Sequence, residues 1–153
     1  MTSGAQDEPR PRGTGHRRRR AARRKAIDIL YQADLTERPP GTVMDDWRKA
    51  GRTVPTYTET LVAGVERTMP EIDALLASHS EGWTVHRMAM VDRTILRVAC
   101  FELRSGIPTA VAINEAVETA KKLSTDDSGR FINGVLGRIA RDAEPTPEAE
   151  PRA

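Results

Sequence analysis

Between residues 17 and 142 the apolar side chains of this chain recur at intervals of three and four, and nowhere convincingly at intervals of two. That spacing follows the 3.6-residue turn of an α-helix, whereas a half-buried strand alternates residue by residue. The fold class is therefore all-α. A first helix over about 17–36 carries Ala22, Ala26, Ile29, Leu30 and Ala33 on one side, and its N-terminal half is mostly arginine. A short helix around 42–50 carries Val43, Met44 and Trp47. Another runs from about Pro55 to Met69 with Tyr57, Leu61, Val62 and Val65 on one stripe, and a further one begins near Pro70 with Ile72, Leu75 and Leu76 inward, unless Pro70 is only a kink. Pro55, Pro70 and Pro108 suit helix starts, because proline is tolerated in the first turn and not in the interior.

The broadest apolar surface lies from about Val85 to Ser105. Met88, Val91, Ile95, Leu96, Val98, Ala99 and Leu103 are spread widely enough there for a central buried helix, which Gly106 stops. From Thr109 to Leu123 one face is Ile113, Ala116, Val117, Ala120 and Leu123, with Glu118 and Lys122 a favourable i,i+4 pair on the other. The last helix, about 127–142, carries Phe131, Ile132, Val135, Leu136 and Ile139. Its interior Gly134 and Gly137 each cost about 1 kcal/mol relative to alanine, which predicts a neighbouring helix in close approach.

A chain of 153 residues fits one domain, expected over 16–142. Residues 1–15 read as a disordered basic tail and residues 143–153 as a disordered, acidic, proline-rich one. No apolar run approaches the roughly 18–20 residues that cross a bilayer, so the expectation is a cytoplasmic protein with no membrane partner. The single Cys100 excludes an internal disulfide, and no Cys/His spacing suits zinc.

The net charge of +2 conceals a segregation: residues 9–27 hold Arg10, Arg12, Arg17, Arg18, Arg19, Arg20, Arg23, Arg24 and Lys25 with no acid. That segment is +9 and the rest of the chain −7. An acidic body with a basic arm attracts a polyanion at one place and repels it elsewhere. On the helix, Arg17 to Arg20, Arg23, Arg24 and Lys25 repel one another at i,i+3 and i,i+4 until a counter-charge arrives, and phosphate supplies one. Arginine adds bidentate contacts and stacking on unpaired bases. A solvated basic tail and an anionic membrane surface are the plainer readings, and the lack of aromatic or large apolar residues in 9–25 weighs against membrane insertion.

Ser124-Thr125-Asp126-Asp127-Ser128-Gly129-Arg130-Phe131 places two carboxylates beside hydroxyls. Without acids continuing at alternate positions it does not form a calcium loop, and it reads as the capped start of a helix. Arg130 and Phe131 side by side suit holding and stacking a base, though Phe131 suits the core equally. His16, His79 and His86 have no ligand spacing, and no nucleophile, phosphate loop or dinucleotide fingerprint is present, so no enzyme, metal or cofactor is expected. Asp45, Asp46 and Asp92 read as solvated helix residues, Tyr31 as the rim of the core, and Trp47 and Trp83 as packing.

Several stretches together resemble the bacterial NusB family. They are Arg23-Arg24-Lys25-Ala26-Ile27-Asp28-Ile29-Leu30-Tyr31-Gln32, then Leu61-Val62-Ala63-Gly64-Val65, then Val91-Asp92-Arg93-Thr94-Ile95-Leu96-Arg97 with Glu102-Leu103. Ile107-Pro108 through Val111-Ala112-Ile113-Asn114-Glu115-Ala116, Asp127-Ser128 and Phe131-Ile132-Asn133-Gly134-Val135-Leu136 complete the series in family order, over about residues 17–140. The resemblance implies about seven helices in two small packed bundles and a transcription antitermination factor. Its RNA would be the boxA element of ribosomal RNA transcripts. Its partner would be NusE, a ribosomal small-subunit protein, with NusA, NusG and RNA polymerase engaged indirectly. Carried over by position, the RNA surface would include Arg19, Arg20 and Arg23, with Arg17 and Arg24 beside them, and Asp127, Arg130 and Phe131. The NusE-facing positions would include Tyr31 and Asp92, which revises their plainer readings. Gly129 departs from the larger polar residues common at its position, and the resemblance allows a monomer or a homodimer. Two other readings stand beside this one: a general basic-armed nucleic-acid-binding protein, and the detached RNA-recognition domain of a ribosomal RNA methyltransferase, although no methyl-donor loop or Pro-Cys motif is present.

Overall fold

The computed structural model describes residues 14–143. The two expected tails therefore lie outside the described residues, save for Thr14, Gly15 and Ala143, which are helical. The described residues form six α-helices and one 3-10 turn: α1 Thr14–Thr36, α2 Pro40–Lys49, α3 Thr56–His79, the turn Val85–Arg87, α4 Met90–Arg104, α5 Thr109–Leu123 and α6 Asp126–Ala143. No strand occurs among the described residues. Helices α1, α2 and α3 pack on one another, as do α4, α5 and α6, and the two groups meet where α4 lies against α1 and α3. The expected pair of small bundles thus shares one apolar core, built from the stripes that give the helices their periodicity. Ile29, Val43, Leu61, Leu76, Leu96, Ile132 and Leu136 are all within it. Trp47 is buried there as expected, its indole N–H donating to Gln32 Oε1 at 3.0 Å.

Helix α3 is continuous through Pro70, where the sequence suggested a new helix or a kink. Proline removes the donor that would serve the Glu66 carbonyl. The helix runs on because Leu61, Val62, Val65, Ile72 and Leu76 keep a single face buried across the defect. The helix expected from Val85 instead begins at Met90. Residues 85–87 form a 3-10 turn, and Met88 and Ala89 are extended. Gly106 ends the segment as anticipated, with φ +87°, a left-handed conformation that a Cβ disfavours.

The close helix approach expected at Gly134 and Gly137 is absent. The nearest atoms to a Cβ there belong to Arg138 and Arg141 of the same helix. Close approach occurs instead at Gly129, where a Cβ would lie 3.1 Å from Lys121 Cγ and 3.7 Å from Val117 Cγ1 of α5. Gly129 therefore leaves room for the Lys121 and Val117 side chains of α5. A second close approach joins the two halves: Gly64 of α3 lies directly under the Phe101 ring of α4.

Candidate nucleic-acid interface

Helix α1 rests its Ala22, Ala26, Ile29, Leu30 and Ala33 stripe in the core. Arg23 stands three residues before Ala26 and four before Ile27, so the same stripe carries it inward, to 5% exposure. Its Nε donates to both oxygens of Glu102, at 2.8 and 2.9 Å, and the Tyr57 hydroxyl donates to the same carboxylate. Glu102 is 2% exposed and comes from the apolar face of α4. Burial, then the bond to Glu102, pushes the Tyr57 hydroxyl up to about 12, so it remains a donor at any physiological pH. Arg23 was expected among the RNA-facing arginines; its head is instead held inside the fold, with Nη1 and Nη2 buried and unpaired among the described residues. The signal for this lay in the sequence, since a cation and a carboxylate each falling on an apolar stripe must meet or remain unpaired.

The other arginines divide. Arg19 lies over the Tyr57 ring with its guanidinium carbon 4.5 Å from the centroid, a cation–π contact. Arg20 forms a bidentate pair with Glu115 of α5, Nε to Oε2 at 3.1 Å and Nη2 to Oε1 at 2.9 Å. That hydrogen bond is the main reason the Glu115 carboxyl is held below its usual range. Arg24 approaches Asp28 at 3.6 Å, and Lys25 donates to the Thr53 carbonyl. Arg17 and Arg18 have no ion pair among the described residues. The self-repulsion read from the sequence is thus partly relieved within the protein, while Arg17, Arg18, Arg19 and Arg24 keep their heads at the surface.

Arg17, Arg20 and Arg24 line a groove of about 380 Å³ between α1 and α5, with Glu115, Glu118 and Lys122 opposite. Lys121, the neighbour of Lys122, packs against Gly129 at the start of α6. Lys121 also approaches Glu118 at 3.7 Å, so the end of α5 carries both signs of charge where it meets α6.

The start of α6 is capped as the sequence suggested, with the cap on the residue ahead of the two acids. Thr125 Oγ1 accepts the Ser128 N–H at 3.0 Å, and Asp126 and Asp127 occupy the first turn. Asp127 is exposed and paired with Arg130. Phe131 is half-buried, its ring edge-on to Trp83 at 6.3 Å and 64°. Trp83 departs from the packing role expected of it and is 54% exposed, since it sits in the irregular link after α3 and not on a periodic face.

The two positions matched to the protein partner are placed differently. Tyr31 is at the surface with Leu35 one turn on, making a small exposed apolar ridge on α1. Asp92 is 7% exposed, accepts the Ser128 hydroxyl at 2.9 Å, and has Oδ1 unpaired among the described residues. Burial raises its pKa, opposed by the Ser128 and Ser124 hydroxyls. Asp92 thus ties α4 to the start of α6; it is not the solvated residue read from its surroundings in sequence.

No group of three potential metal ligands occurs among the described residues, and no helix there is long and apolar enough to cross a membrane. Burial pushes the Cys100 thiol up to about 12, far from a reactive thiolate.

An arginine-rich helix laid on a small helical core, with Arg17, Arg18, Arg19 and Arg24 at the surface, defines a basic-armed all-helical protein. The sequence model of the NusB family matches residues 20–141, and the chain belongs to that family. The transcription antitermination protein NusB of Saccharopolyspora erythraea is 50% identical over 128 residues, covering 80% of this chain and 86% of that protein. That of Salinispora arenicola is 47% identical over 131 residues, covering 82% and 96%. Among solved structures, T. maritima NusB superposes with a TM-score of 0.73 at 31% identity, covering 83% of this chain and 93% of that one. The NusB of a complex of antitermination factors NusB and NusE with double-stranded RNA gives 0.71 at 28% identity, covering 82% and 98%. The chain is accordingly a transcription antitermination factor of the NusB kind and not an enzyme.

Proposed function

We propose that this protein binds boxA-like single-stranded RNA of ribosomal RNA transcripts together with NusE, as the RNA-reading adaptor of an RNA polymerase antitermination complex in which NusA and NusG act beyond direct contact. The observation that carries the reading is the run of surface cations Arg17, Arg18, Arg19 and Arg24 along the arm, with Lys122 across the groove between α1 and α5. Such a run neutralises consecutive phosphates and releases their counterions. Arg20 joins it by exchanging Glu115 for phosphate. Arg23 supports it from inside, by fixing the helix that presents the others. Asp127, paired with Arg130 at the rim, sets how freely that guanidinium reaches RNA, and Phe131 offers a ring to a base. A protein found with NusE and RNA in a related structure supports the partner, and the exposed Tyr31 and Leu35 ridge is the face offered to it. Asp92 serves that face indirectly, by holding α4 against α6. The reading places the protein in the cytoplasm, where nascent transcripts are.

The test is the salt dependence of RNA binding. Replacing Arg17, Arg19 and Arg24 with alanine is expected to weaken binding and to lower the slope of log K against log salt by about 0.7 for each phosphate of a single strand that is no longer neutralised. Arg23→Ala would act through the fold, so it does not report on phosphate. Fluorescence anisotropy over a salt series reads both quantities, and an unchanged slope in the triple variant would show that these arginines do not meet phosphate.

A further inference from the structure

Helix α1 carries basic residues on two edges, and only one of them belongs to the groove beside α5. Arg17, Arg20 and Arg24 are spaced i, i+3 and i+7, so they share the edge that meets Glu115 and Glu118. Arg18 and Lys25 are seven residues apart and share a second edge, from which Lys25 Nζ donates to the Thr53 carbonyl at 3.1 Å in the link between α2 and α3. That link is itself basic. Lys49 closes α2, Gly51 turns the chain at φ +80°, and Arg52 follows with its backbone N–H donating to the Trp47 carbonyl at 2.9 Å. The Arg52 guanidinium lies over the buried Trp47 ring, its carbon 3.3 Å from the centroid, and the residue stays exposed. The ring fixes the head at the surface and leaves its N–H donors open to a ligand. Asp28 and Glu59, the acids on neighbouring turns, are engaged elsewhere, with Arg24 at 3.6 Å and Arg48 at 3.1 Å. Arg18, Lys25, Lys49 and Arg52 make no ion pair among the described residues.

We propose that Arg18, Lys25, Lys49 and Arg52 form a second phosphate-binding track, along which the backbone of the bound RNA continues from the arm across the α2–α3 link. The proposal rests on the RNA-binding reading and adds to it a surface on the first bundle, away from the groove beside α5. A cation in the last turn of α2 suits the helix dipole in its own right, which accounts for Lys49 alone. It does not account for Arg52, which lies past the end of the helix, or for Lys25, which reaches the link from α1. Cations without counter-ions gain most from a ligand that pairs several of them at once, and a strand of phosphates does so while releasing its own counterions. No large apolar side chain is exposed along the track to enter a bilayer, which favours RNA over a membrane surface. Contacts to phosphate hold a strand without reading its bases, so the track raises affinity for any RNA that reaches it.

The experiment follows, by anisotropy over a salt series, the binding of the full chain to a labelled single-stranded RNA long enough to pass both the arm and the link. In the pair Lys49→Gln with Arg52→Gln the slope of log K against log salt should fall by about 1.4, which is about 0.7 for each lost phosphate contact. The advantage of the unaltered chain over this variant should therefore shrink roughly sevenfold between about 50 and 200 mM salt. Lys49→Gln alone, on an exposed side chain, should lower the slope by about 0.7. The charge-preserving pair Lys49→Arg with Arg52→Lys should keep the slope of the unaltered chain. An unchanged slope in the glutamine pair, or an equal fall in the charge-preserving pair, would overturn the track while leaving the arm in place. Loss of binding to phosphatidylserine vesicles by the glutamine pair, with its RNA slope intact, would overturn it in favour of a membrane-facing patch. No binding of the unaltered chain to the RNA at low salt would overturn the RNA-binding reading itself, and the track with it.

Discussion

Replacing Glu102 with alanine is expected to cost the fold about 3–5 kcal/mol, because it leaves the Arg23 guanidinium buried without a counter-charge and removes the acceptor of the Tyr57 hydroxyl. Domains of this kind are stable by only about 5–15 kcal/mol, so the variant should sit near the edge of folding. The cost arises from the orphaned charge more than from any net attraction within the pair. Taking both charges out of water is expensive, and their attraction does little more than repay it. The double variant Arg23→Met with Glu102→Leu should therefore lose less than Glu102→Ala alone. Denaturant unfolding of the three proteins decides the matter: a loss under about 1 kcal/mol in Glu102→Ala would mean that the ion pair is solvated and does not lock α1 to α4. The lock matters for function, since Tyr57 bonds Glu102 with its hydroxyl and carries Arg19 on its ring. One buried carboxylate thus fixes the height at which the arm meets its ligand.

Gly64→Val should be comparably damaging, and Gly64→Ala should cost about 1–3 kcal/mol, the usual penalty for forcing extra carbon into a packed contact. Even the single Cβ of alanine would overlap the Phe101 ring, which cannot fold away as a long flexible side chain would. In a helix interior alanine is ordinarily better than glycine by about 1 kcal/mol, so the sign of the effect depends on the ring. With Phe101 first shortened to alanine, Gly64→Ala should become neutral or stabilising. Thermal or denaturant unfolding of the four proteins measures this reversal, and a destabilisation of Gly64→Ala that persists without the ring would mean that backbone conformation, not contact with α4, requires the glycine.

These two contacts also show where the sequence was legible. The helices follow from apolar stripes that each carry their own evidence: α5 begins and ends where its stripe does, and α4 stops at Gly106, because the cause and the effect lie within a few residues of one another. Pro70 misled because the breaking tendency of proline is local, while the buried face that overrides it is supplied by distant helices. Gly134 and Gly137 looked like contact points because they interrupt a helix. The real close approaches are at Gly129 and Gly64, fixed by where α5 and α4 come to lie. The candidate site divides in the same way. That the arm seeks a polyanion is written in its charge. Which arginine turns inward is written in its phase relative to Ala26 and Ile27, and that phase is read correctly only once Glu102 is recognised as its counterpart on the apolar side of α4. Trp83 and Asp92 could not be placed from spacing, because one lies outside any periodic element and the other is buried with its hydrogen-bond donor, Ser128, on a different helix.

The central claim is recognition of a particular RNA by this chain with its protein partner, and anisotropy with boxA RNA and a shuffled RNA of the same composition, each with and without NusE, tests it most directly. Joining the partner adds RNA contacts without a second search in solution, so affinity for boxA should be modest alone and rise clearly when NusE is present. The shuffled RNA should gain much less. Equal affinity for both RNAs, in the presence of NusE as in its absence, would contradict that claim and leave only a basic helix that binds polyanions without reading them.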